Sequence, residues 1–213
     1  LPGAAHLPWD KFEHVCTTYE QLRYATGVVA LGLASAHAGD PADAAVSFRA
    51  DGCPADEPMS HRHAMYALRR RIYALVLRAL RDDAEAMRQA LASDDALFHE
   101  ELYTYMIAHG KTSELLSTPT PFLEDFLQGT PVLLDGQSLE TYERRLRDLL
   151  WQWYVRQGEY LAAAQTLDAL AHTDTYALHL YERIEYLAAY LDGVARAADE
   201  GVPVHGYFVW SLL

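Results

Sequence analysis

Apolar residues recur at three-and-four spacing through most of the chain, the signature of amphipathic helices, and strand-type alternation is nearly absent. The pattern predicts helices over about 60–80, 83–92, 94–108, 112–116, 121–127, 139–157, 160–171 and 175–198. A first helical region runs to about Ala38, with a break near Thr26-Gly27, and a short segment follows over 42–48. Asp10 with Glu13 after Pro8 reads as a capping box opening the first helix. All nine prolines fall between the periodic segments, as uninterrupted helices require.

Two helices carry more information than the rest. The segment 60–80 has one apolar stripe of Met65, Leu68, Ile72, Leu75 and Ala79 and a second of Tyr66, Tyr73, Leu77 and Leu80, so it should touch neighbours on two sides, as in a stack. The last helix carries Leu180, Ile184, Leu187, Leu191 and Val194, read as a stripe packing on the preceding hairpin. From Asp148 to Leu170 the chain reads as an aromatic helix, a stop at Gly158 and an Ala-rich helix. Ala162, Ala163 and Ala164 allow close approach there, and Trp153 and Tyr154 supply bulk. The whole is an all-α, irregular α-solenoid of stacked helical hairpins. No 34-residue self-similarity marks a regular tetratricopeptide array.

Length permits a core that hides roughly 70% of the unfolded surface. Net charge is −13, from 30 acidic and 17 basic residues, which disfavours a nucleic-acid backbone as partner. Arg69-Arg70-Arg71 points in three directions on a helix and reads as a solvated, salt-bridged surface. The scarcity of Lys and Ile and the absence of Asn, against abundant Ala and Arg, read as codon bias. Cys16 and Cys53 are far apart and without a C-x-x-C partner, consistent with reduced thiols in an intracellular compartment. No apolar run of about 18 residues and no signal-peptide pattern is present. The start at Leu1 suggests a piece of a longer protein.

Candidate chemistry is thin. His99-Glu100 would begin a zincin helix, but Tyr103 stands where the second His ligand is needed. His61 and His63 fall on different helix faces, and the ten histidines read mostly as surface residues. Asp82-Asp83 and Asp94-Asp95 resemble the start of a magnesium-binding D-D-x-x-D motif, yet Ala86 and Phe98 replace the last acid, and acids at helix starts offset the helix dipole. No phosphate loop or nucleophile elbow occurs. No catalytic, cofactor-binding or metal-ligating residue is assigned, and no cofactor or small-molecule substrate is expected. Tyrosines outside the stripes are candidate contact residues, with none singled out.

Two stretches carry a family resemblance: SDDALFHEELYTYMIAHGKTSELLSTPTPFLEDFL from Ser93 and DLLWQWYVRQGEYLAAAQTLDALAHTDTYALHLYERIEYLAAYL from Asp148, with the loop FRADGCPADEP upstream in the right order. Together they resemble the C-terminal α-helical region of the large inner-ring scaffold nucleoporins, the 155-kilodalton class. The likeness covers most of Tyr19 to Leu191. Its most specific parts are SDDALFH, PFLEDFL and LLWQWY.

The resemblance implies a solenoid fragment over 1–200, separate from an N-terminal β-propeller that carries the family's membrane-binding loop. It further implies a structural, non-enzymatic role in the inner ring of the nuclear pore complex at the nuclear envelope, supporting nucleocytoplasmic transport of protein and mRNA. The implied partners are disordered linker nucleoporins and adjacent scaffold subunits, with no direct nucleic-acid or membrane contact by this region. After Gly201 the sequence VPVHGYFVWSLL departs from the family, so 201–213 stands apart as an apolar tail; the insert 128–137 reads as a surface loop. Two other readings make different demands. A tetratricopeptide-like or coat-like peptide-binding adaptor would need a basic or Asn-lined concave face, and a metal-dependent helical enzyme would need converging carboxylates.

Overall fold

The computed structural model describes residues 8–57, 59–81, 83–118, 120–129, 139–172 and 180–201. Their regular structure is α1 (Trp9–Gln21), α2 (Ala25–Gly39), α3 (Ala44–Ala50), α4 (His61–Leu80), α5 (Ala84–Leu91), α6 (Ala96–Ala108), α7 (Thr112–Ser117), α8 (Leu123–Gln128), α9 (Leu139–Gln157), α10 (Tyr160–His172) and α11 (Leu180–Asp199). The chain divides into two compact units, 1–110 and 111–213.

In the first unit α4 is the helix around which the others pack: α2, α3, α5, α6 and α1 all touch it. Its two apolar stripes explain this: Ile72 and Leu75 of the first and Tyr66, Tyr73 and Leu80 of the second are buried, Met65, Leu68, Leu77 and Ala79 are half-buried, and Val76, in neither stripe, is buried with them. On one side α2 comes close enough that a methyl at Gly32 would collide with the Cγ2 of Val76. On another, Phe98 of α6 lies 5.3 Å from the Tyr73 ring, and Leu97, Leu102, Met106 and Ile107 extend the core. Fully burying each such side chain contributes about 1.5–3 kcal/mol before entropy is counted.

Three helices of this unit open on side-chain caps. Ser60 accepts from the His63 N–H, Asp83 from the Glu85 and Ala86 N–H groups, and Asp95 from the Phe98 N–H at 3.1 Å. The first helix differs from expectation. It starts at Trp9 with Pro8 as the flanking residue, whose carbonyl accepts the Phe12 N–H at 3.0 Å, so Asp10 sits in the first turn and the Asp10/Glu13 capping box does not form.

The break expected at Thr26-Gly27 instead falls at Leu22–Tyr24. Arg23 takes a left-handed φ of 54° and the Tyr24 N–H returns to the Tyr19 carbonyl at 2.8 Å. Gly27 lies inside α2, beneath the Tyr24 ring, so this glycine serves close packing rather than a turn. The third helix begins two residues later than its pattern suggested, because the buried Asp40 carboxylate accepts the Ala44 and Ala45 N–H groups at 2.8 and 3.0 Å and fixes the start there.

In the second unit α9 packs against α7, α8 and α10, and α10 against α11. The α9–α10 hairpin turns at Gly158, whose φ of 79° only glycine adopts cheaply, with the Glu159 N–H returning to the Tyr154 carbonyl at 2.9 Å. Ala163 and Ala164 are buried as their small size requires. Polar ties cross between helices: Tyr154 Oη donates to Glu124 of α8 at 2.8 Å, Tyr186 Oη donates to Asp148 at 2.7 Å, and Arg144 meets Glu182 at 3.2 Å.

The apolar stripe of α11 is displaced from its predicted register. Leu187, Tyr190 and Ala197 are buried while Ile184 and Leu191 are each 50% exposed. Gly193 lies on the face of α11 that meets α10, where a Cβ would stand in ordinary contact, 3.5 Å from the Tyr160 carbonyl and 3.7 Å from the Ala164 methyl. Residues 175–179, the greater part of the insert 128–137 and all but the first residue of the tail 201–213 lie outside the described residues.

Candidate partner-binding site

The most unusual side chain in the first unit is Arg69, buried on α4 with 2% of its surface exposed. It lies at the spacing Tyr66-Arg69-Tyr73-Val76-Leu80, so the core-facing stripe itself carries a cation. Its Nε is 3.0 Å from Asp40 Oδ2, within ion-pair reach though too oblique for a hydrogen bond. The remaining guanidinium nitrogens reach Asp43 Oδ1 at 2.6 Å, the Asp40 carbonyl at 3.2 Å and Asp95 Oδ1 at 3.6 Å. Tyr73 Oη donates to the other Asp95 oxygen at 2.5 Å. Burial alone would lower the arginine pKa, but Tyr73 and the three carboxylates outweigh it and the value is raised. Burial and the Asp95 charge push the Tyr73 hydroxyl upward, so it stays a donor.

This cluster ties together the end of α2, the start of α3, the middle of α4 and the start of α6. The expectation of a solvated arginine triplet is therefore corrected at Arg69, whose place in the apolar stripe overrides its charge because three acids meet it there. Its neighbours are nearer the expectation: Arg70 is half-buried and pairs with Glu101 at 2.6 Å, and exposed Arg71 lies 4.0 Å above the Trp9 ring. A charged residue inside an apolar stripe was the available sequence signal.

Above the cluster is a groove of about 510 Å³ lined by Leu33 and His37 of α2, Asp43, Val46 of α3, Arg69, and Ser93 to Ala96. The walls combine apolar Leu33, Val46 and Ala96 with the carboxylates of Asp43, Asp94 and Asp95. Val46 is 37% exposed. In the second unit, a concavity of about 430 Å³ runs between α9 and α10 along Arg147, Tyr154, Ala162, Gln165, Thr166, Ala169 and Leu170. Neither contains the converging groups of an active site; both have the dimensions of a groove for a side chain or short segment.

The other sequence candidates are dispersed. His99 is fully buried, against the expectation of surface histidines, because it belongs to the α6 core face between Phe98 and Tyr103 and its Nε2–H donates to the Ser93 carbonyl at 2.8 Å. Glu100 pairs with Arg49 at 2.7 Å. His63 packs edge-on to Phe48 at 5.5 Å and His61 is exposed. Asp83 and Asp95 cap helices as expected, while Asp82 lies outside the described residues. Among the described residues no three His, Cys, Asp or Glu side chains are grouped to hold a metal, and no helix is long and apolar enough to cross a membrane. Tyr24 is 53% exposed.

The fold is all-α, of irregular solenoid type, with grooves between its helices. Its family is specific: the chain belongs to the non-repetitive/WGA-negative nucleoporin C-terminal family, whose model matches residues 2–201. It is 29% identical over 181 residues to the probable nucleoporin C890.06 of Schizosaccharomyces pombe, covering 79% of this chain and 13% of that protein. It is 27% identical over 206 residues to the nuclear pore complex protein Nup154 of Drosophila melanogaster, covering 81% and 15%. The chain thus spans about a seventh of these relatives' length.

The Nup170 CTD of Chaetomium thermophilum has the same fold. Its crystal structure superposes with a TM-score of 0.74 at 24% identity, covering 96% of this chain and 40% of that one. The Nup170 CTD–Nup145N complex gives 0.72 at 24% identity, covering 96% and 39%. A 36-residue stretch is also 56% identical to a 1,4-beta-D-glucan glucohydrolase of Thermotoga neapolitana, but it covers 17% of this chain and 8% of that enzyme, too little to bring its fold or active site. The family is one of structural nucleoporins rather than enzymes.

Proposed function

We propose that this chain is a segment of the inner-ring scaffold of the nuclear pore complex, located at the nuclear envelope, where it binds other nucleoporins and so supports nucleocytoplasmic transport. The observation that carries the reading is the match of nearly the whole chain to the nucleoporin family. The related Nup170 CTD was crystallised in complex with Nup145N, which supports the view that this helical scaffold holds other nucleoporins. In this reading 1–200 is the solenoid segment and 201–213 a separate apolar tail. Disordered linker segments are the partners best suited to grooves between helices, because an extended chain gains buried area there in exchange for its ordering cost.

The test is to tag the protein in its own cell, image it, and identify co-purifying proteins by mass spectrometry. A nuclear-rim signal with linker nucleoporins and scaffold neighbours enriched is expected. A diffuse signal without nucleoporins would overturn the reading.

A further inference from the structure

We infer that the groove between α2, α3 and the start of α6 receives an extended segment of a disordered partner that places an apolar side chain against Leu33 and Val46 and a lysine or arginine beside Asp94 and Asp43. This deepens the reading above and rests on it. The lining holds Asp43, Asp94 and Asp95 against the cation Arg69, a net charge of −2 from three negative and one positive group, leaving His37 out of the count. Asp43 and Asp95 are both engaged with Arg69, and Asp95 also caps α6.

Asp94 is different. Ser93 Oγ accepts the Asp95 N–H and Asp95 accepts the Phe98 N–H, yet Asp94 forms no hydrogen bond or ion pair among the described residues. Its carboxylate stands exposed on the rim, beside the apolar side chains of Leu33 and Val46, which no described element of the unit covers. A purely apolar occupant would bury that rim charge uncompensated, and an anionic one would be repelled. A segment that alternates apolar and basic residues satisfies both halves of the groove at once.

The experiment is fluorescence anisotropy of the whole chain with fluorescein-labelled peptides that tile the disordered linker nucleoporins of the same organism. At least one Lys/Arg-containing peptide is expected to bind, with affinity that weakens as salt rises. Asp94→Arg and Val46→Arg should each lower it tenfold or more while leaving the thermal midpoint unchanged. Replacing the peptide's basic residue by Glu should restore binding to Asp94→Arg. Peptide binding that ignores both substitutions would overturn the groove assignment and leave the scaffold reading standing. Binding by no tiled peptide would overturn the groove assignment and count against the linker-binding reading as well.

Discussion

The Arg69 guanidinium and the Asp40 carboxylate lie 3.0 Å apart with only 3% and 1% of their side chains exposed. Charges so fully removed from water are tolerable only as a set, and here the set also includes Asp43, Asp95 and the α3 amides that Asp40 accepts. Removing one member strands the rest.

Arg69→Met should therefore destabilise the first unit by about 3–5 kcal/mol, since it leaves Asp40 buried and uncompensated. Asp40→Asn keeps an oxygen for the α3 amides and should cost less, about 1–3 kcal/mol. The double substitution should fall well short of the sum of the two, because the second change removes a group the first has already stranded. Urea unfolding of the three variants measures all these quantities, and additivity would contradict the picture of one coupled cluster.

Stability should also fall on mild acidification through His99. Burial lowers its pKa, with the Ser93 carbonyl and the Asp95 and Asp94 charges opposing that shift in part. A lowered folded value means that the neutral form is favoured by the fold. The contribution is fully present above the unfolded value near 6.5 and is lost as pH falls from there through the folded value, by at most about 1.4 kcal/mol per pH unit. Unfolding free energies at several pH values should drop more steeply below pH 6.5 for the native chain than for His99→Gln. Parallel curves would show that another group dominates.

Much of the architecture was legible because it depends on local rules. Proline placement, Asp and Ser caps and three-and-four spacing located α4 through α10 to within a few residues, and Gly158 announced its own turn. Errors arose where tertiary contact decides. Nothing local distinguishes Arg23, which turns the chain, from Gly27, which packs beneath Tyr24. The face that α11 buries, with Leu187, Tyr190 and Ala197, is decided by its packing on α10, a partner invisible in the α11 pattern. The arginine triplet looked like surface because helix geometry gives the direction of each side chain but not which direction faces three acids. The groove was illegible for the same reason: Leu33, Val46 and Asp94 come from three elements and meet only in the fold.

Gly32 offers a sharp probe of the α2–α4 contact. A methyl there meets Val76 Cγ2, and the β-branched Val76 has little rotamer freedom with which to yield. Gly32→Ala would gain about 1 kcal/mol from helix propensity at an unconstrained site. Overpacking of about 1–3 kcal/mol opposes that gain. The expected net effect is destabilising, and Gly32→Ala with Val76→Ala should recover most of the loss. A more stable single variant, read as a raised thermal midpoint, would mean that the helices part easily.

The two thiols should react in strict order. Cys16 is fully buried on α1, and its pKa is pushed up to about 11, chiefly by burial with a smaller contribution from Glu20. Both access and thiolate fraction therefore protect it. Cys53 sits in the loop after α3, only partly buried. With a maleimide at neutral pH the native chain should take up one equivalent, mapped to Cys53 by mass spectrometry, and the second should appear only when urea opens the first unit. The rate of Cys16 labelling then reports the opening of that unit. Arg69→Met should accelerate it by roughly the factor that its stability loss predicts, about tenfold per 1.4 kcal/mol where opening is in rapid equilibrium. Simultaneous labelling of both thiols in the native chain would contradict the burial of α1 against its neighbours.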